Sequence, residues 1–103
     1  MSFTQAFEQE ITNLEELFKQ RWETILPIAE GDAQMMPYLK GWKFKIEFEC
    51  GMTRKFLKEM DYTNALTNFG LAERNYGVFF HEAQRLWQSS RQSTQFGVET
   101  CNR

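Results

Sequence analysis

The sequence predicts an all-α fold, an antiparallel three-helix bundle with coiled-coil-like packing. Three observations carry this reading. Apolar residues recur at spacings of mostly three and four in three separate segments, the period of one helix face. Stop-and-restart signals fall between them, first Pro27 with Glu30-Gly31-Asp32 and then Met60-Asp61. The first two segments also carry charge of opposite sign, which suits side-by-side packing.

The first helix is expected over residues 3–26. Phe7, Ile11, Leu14, Phe18, Trp22 and Ile25 form its stripe, flanked by Phe3 and Leu17. Ser2 or Thr4 can cap its start. Glu8, Glu10, Glu15 and Glu16 crowd the first half, near the end where the helix dipole favours anions. Pro27 is expected to end or kink it.

The middle segment admits two readings. Trp42-Lys43-Phe44-Lys45-Ile46-Glu47-Phe48-Glu49-Cys50 alternates as a half-buried strand does, giving an alternative α+β fold with a strand at 42–50. Met35, Leu39, Trp42, Ile46, Cys50, Phe56 and Met60 trace a helical stripe through the same residues. The helix is preferred on length and for want of a partner strand, since an isolated strand pair is marginal. Pro37 suits a helix start, while Gly41 and Gly51 weigh against its interior.

The third helix is expected over residues 62–88. Tyr62, Ala65, Phe69, Ala72, Tyr76, Phe79, Ala83 and Leu86 keep the period without a break, and Asp61 is a suitable N-cap. Past Gln88 the pattern dissolves into Ser, Gln, Thr and Asn. Residues 1–90 therefore read as one bundle domain and 91–103 as a flexible C-terminal tail. Over residues 3–26 five Glu against Lys19 and Arg21 give −3. Over residues 35–60 six basic residues against three Glu give +3. Folding back at Met60-Asp61 would set Phe44 over Gly77 and Phe80 over Gly41, aromatic knobs in glycine notches.

The chain has 103 residues, the size of one domain, with 16% aromatic residues, among them ten Phe and three Trp. That is more aromatic surface than a small bundle needs to fold, and such side chains dominate binding hot spots. A net charge of −2 lacks the basic field on which nucleic-acid binding rests, so nucleic acid is not the expected partner. Cys50 and Cys101 are too few for a disulfide framework and read as free thiols. The first residues lack the pattern of a secretory signal, and no apolar run approaches the ~18 residues of a membrane span. A cytoplasmic location and no membrane partner are expected.

Motifs that carry chemistry are few. The single histidine, His81, cannot form a two-histidine metal site, and Val78 interrupts the Glu-x-x-His pattern of di-iron bundles. No phosphate loop, Cys-x-x-Cys or nucleophile elbow occurs, so neither metal nor cofactor is called for. Arg74-Asn75-Tyr76-Gly77-Val78-Phe79-Phe80-His81 resembles the signature of the HEPN family of all-α ribonucleases. The resemblance covers these eight residues and implies paired protomers, with Arg74 on an RNA phosphate, His81 as acid or base and Asn75 assisting. Ala83 stands where that family usually has an aromatic residue. Asp61-Tyr62-Thr63-Asn64-Ala65-Leu66, followed by Phe69 and Ala72, resembles the second helix of a tetratricopeptide repeat. That likeness implies peptide or protein binding, although a lone repeat cannot bury its own faces.

The function these features favour is a small non-catalytic interaction module, an adaptor, chaperone or inhibitor that docks on another protein. Trp22, Trp42, Phe44, Phe48 and Trp87 are the expected anchors. The alternatives are a HEPN-like ribonuclease using Arg74 and His81, and a purely structural homodimeric subunit.

Overall fold

The structure, a computed structural model, describes the backbone of residues 1–101 and the side chains of residues 1–91. It consists of three helices: α1 (Phe3–Ala29), α2 (Met35–Lys58) and α3 (Tyr62–Cys101). Every helix pair is in contact, forming an all-α three-helix bundle. Residues 42–50 lie within α2, and no strand occurs among the described residues. Helix–helix contacts give the direction of each element. Glu15 of α1 meets Arg54 of α2, and Trp22 of α1 meets Lys43, so these two helices run antiparallel. Phe7 meets Phe69 and Phe18 meets Phe79, so α1 and α3 run parallel.

The helix ends follow from local chemistry. Ser2 and Gln5 form a capping box, each side chain accepting from the other residue's backbone N–H at 3.2 and 3.0 Å. Pro27 does not end α1, which continues to Ala29. So close to the terminus the lost hydrogen bond costs little of the helix. Helix α2 is started by Asp32, whose carboxylate accepts from Gln34 and Met35 N–H at 2.9 and 3.0 Å. Pro37 follows within the first turn, where backbone N–H groups lack helical partners anyway.

The α2–α3 turn is closed by a Schellman arrangement. Asp61 N–H donates to Phe56 carbonyl oxygen at 2.9 Å and Met60 N–H to that of Leu57 at 3.1 Å. Met60 takes the left-handed conformation that this requires, with φ 60°. Asp61 then caps α3, accepting from Asn64 N–H at 3.2 Å. Helix α3 does not stop at Gln88 but runs to Cys101. No proline falls there, and an established helix propagates at little cost even through Gly97. The side chains of the expected tail beyond Arg91 lie outside the described residues.

The core follows most of the stripes read from the sequence, but Met60 and Tyr62, expected in those of α2 and α3, are exposed. Phe7, Ile11, Leu14, Phe18 and Ile25 meet Leu39, Ile46 and Cys50, with Ala65, Phe69, Ala72, Phe79 and Ala83 opposite. Ala65, Ala72 and Ala83 in the α3 stripe leave room for the rings of Phe18, Phe69 and Phe79. Leu57 and Thr53 are also buried, and neither belongs to the expected stripe. The Thr53 hydroxyl is satisfied by donating to Glu49 carbonyl oxygen at 2.7 Å.

The glycine notches are not formed. A Cβ at Gly41 or Gly77 would meet nothing within 4 Å, and Phe44 is 70% exposed. Phe80 lies instead beneath Arg21 of α1, 5.0 Å from guanidinium carbon to ring centre. The buried edge of α2 is Ile46, Cys50 and Thr53, which turns Phe44 outward.

Candidate functional site

The five expected anchors separate into three places. Residues 42 and 44 differ by ~200° around a helix, so Trp42 and Phe44 cannot share a face. Phe44 and Phe48, one turn apart, point outward and stack with ring centres 6.3 Å apart and an interplanar angle of 17°. Phe48 is 56% exposed, and the two rings together present on the order of 250 Å² of apolar surface. Aromatic rings are enriched at the core of protein interfaces, so the pair suits an anchor.

Trp22 joins this surface from α1. It is half-buried, packed at 6.1 Å on both Phe18 and Phe79. Lys43 Nζ lies 5.6 Å from its ring centre and 2.8 Å from Glu47 Oε1. Trp22, Lys43 and Glu47 together form the ridge between two clefts along the α1/α2 seam. One, of about 430 Å³, extends over Phe18, Ile46 and Cys50. The other, of about 490 Å³, extends past Leu26 and Met36 to Phe44. Charges of both signs rim the clefts: Lys19, Lys40 and Lys43 against Glu15, Glu30 and Glu47. Such a rim orients a partner and discriminates between partners more than it adds affinity.

The other two anchors lie elsewhere. Trp42 is half-buried against the core, with Tyr38 edge-on at 6.2 Å and Lys45 Nζ 4.8 Å from its ring. Trp87 lines a cleft of about 280 Å³ between α1 and α3 with Arg21, Ile25 and Phe80. Arg91 sits over its ring at 4.7 Å. The sequence reading missed Lys43 and Glu47, whose four-residue spacing on a helix with exposed aromatics is the signal that could have found them.

Below the first cleft, burial and the Glu15 carboxylate push the Cys50 thiol up to about 11, against a smaller opposing effect of Arg54. A thiol held protonated in this way is a poor nucleophile. Arg54 is occupied by Glu15 and by Thr12 Oγ1 at 3.1 Å, tying α2 to α1.

Arg74 and His81 both lie exposed on α3. Asn75, expected beside them, is turned toward α2 and donates through Nδ2 to Glu49 Oε1 at 2.6 Å. Among the described residues no group of three His, Cys, Asp or Glu could hold a metal ion, and no helix is long and apolar enough to cross a membrane. No family model, curated protein or solved structure matches this chain.

Proposed function

We propose that this chain is a non-catalytic interaction module that docks on another protein through the outer face of α2 and the adjoining α1/α2 clefts. One observation carries the reading: Phe44 and Phe48 stack on each other in full view of solvent, and Phe44 lines an α1/α2 cleft that Trp22 shares with a second cleft over Phe18, Ile46 and Cys50. Aromatic anchors next to a preformed groove suit an amphipathic segment laid along the seam. Trp22 and Phe44 are the central anchors, with Phe48 extending them. Trp42 contributes through the fold, and Trp87 lies on a separate surface.

The test is affinity capture of partners by the tagged chain, beside a Phe44→Ser/Phe48→Ser variant. The substitutions remove only exposed rings, so the variant should keep its helical circular dichroism and melting temperature. The reading expects one stoichiometric band with the wild type that the folded variant loses. A band retained by the variant, or none with either, would refute this surface as the docking site.

A further inference from the structure

The cleft between α1 and α3 differs in charge from the two on the α1/α2 seam. Arg21 is the only charged side chain of its lining, whereas each seam cleft carries both signs. Its walls are apolar. Phe80 and Trp87 stand two turns apart on α3, ~10.5 Å along the axis, with small Ala83 between them. Ile25 of α1, which is buried, closes the floor opposite. At about 280 Å³ the space lies at the lower end of the ~300–1,000 Å³ of small-molecule sites, which suits a ligand of two fused rings.

Arg21 is placed to hold an anion at one end of this space. Among the described residues it makes no ion pair, while Lys43, Arg54 and Arg85 each have a glutamate. Its guanidinium carbon sits 5.0 Å from the centre of the Phe80 ring. Stacking of this kind uses the face of the guanidinium and holds its plane. The N–H donors along the edge stay available, in the fork that matches a carboxylate. Arg91, 4.7 Å from the Trp87 ring, adds a second positive charge toward the other end. A cationic ligand would find no carboxylate in the lining to pair with.

We infer that this cleft binds a small aromatic carboxylate, with its rings between Phe80 and Trp87 and its carboxylate on the edge of Arg21. The site is separate from the docking surface on α2 and does not depend on it. Arg21 and Trp87 are both exposed, so the cleft shields its ligand only in part. A ligand of about a dozen heavy atoms then binds with a dissociation constant on the order of 0.1–1 mM.

Proton–nitrogen NMR of the full chain, titrated with β-naphthoate and with its neutral counterpart β-naphthamide, tests this. The naphthoate should shift the indole N–H of Trp87 and the backbone amides of Thr24 and Gln84, saturating in that range. The amide, with the same rings and no charge, should shift the same signals about tenfold more weakly. Arg21→Gln should weaken the naphthoate about tenfold and leave the amide nearly unchanged. Amide binding thus reports that the cleft of the variant is intact. No saturable shift below ~10 mM would overturn the inference, as would shifts centred on Trp22 rather than Trp87. Equal binding of acid and amide would also overturn it, and so would an Arg21→Gln variant that loses neither ligand or both alike. None of these outcomes bears on partner capture through Phe44 and Phe48.

Discussion

Replacing Met60 with glycine should stabilise the protein. Met60 is the left-handed residue of the Schellman turn, with φ 60°, and its side chain is 74% exposed. Holding an L-residue there costs about 1–2 kcal/mol. Glycine removes that cost but gives back roughly 0.5–1 kcal/mol through the greater freedom of the unfolded chain. The net gain is up to about 1.5 kcal/mol, which for a domain of this size raises the melting temperature by up to about 7 °C. Met60→Ala is the comparison, since it deletes the same exposed side chain and keeps the strain. Urea and thermal denaturation followed by circular dichroism would measure all three chains. If Met60→Gly were no more stable than Met60→Ala, the left-handed turn would not be storing the strain assigned to it.

Three further outcomes can be checked. Phe79 is fully buried against Phe18 and Trp22, so Phe79→Ala should cost about 3–5 kcal/mol in urea denaturation, and a cost under ~1 kcal/mol would place its ring outside the core. The Cys50 thiol titrates higher in the folded state than in the unfolded one. Its contribution is complete below its ordinary value of 9.0 and is lost as pH rises toward about 11, at no more than ~1.4 kcal/mol per pH unit. Cys50→Ala should flatten that part of the pH–stability curve, and an unchanged slope would contradict the buried thiol. His81→Ala should leave the fold and partner capture intact. RNA cleavage by the wild type that this substitution abolishes would move the function to the ribonuclease alternative, carried by Arg74 and His81.

The stripes of α1 and α3 were legible because a helix repeats every 3.6 residues and the core takes one face of it. Pro27 does not end α1, because its effect depends on how near the helix end it falls, which composition does not reveal. Thr53 was hidden by its polarity, since a hydroxyl that bonds the carbonyl four residues back can be buried like valine. The glycine notches failed for a different reason. Periodicity identifies a face but does not fix which neighbour it turns toward, and α2 directs Ile46, Cys50 and Thr53 inward rather than Phe44. The five anchors are aromatics of the kind whose truncation costs most at interfaces. Only the rotation of each helix about its axis separated Trp22, Phe44 and Phe48 from Trp42 and Trp87.

The tight α2–α3 turn also sets an order of events in time. The two helices share the most extensive interface of the bundle and are joined by a turn whose hydrogen bonds all come from nearby residues. Contacts so close in sequence close small loops and form early, so this hairpin is the natural folding nucleus, with α1 added last. What docks last also leaves first. Amide hydrogens of α1 should exchange with solvent sooner than those in the middle of α2 and α3, and uniform protection across the three helices would contradict this order. Excursions of α1 would widen the seam beside Trp22, making the groove a product of the last step in assembling the bundle.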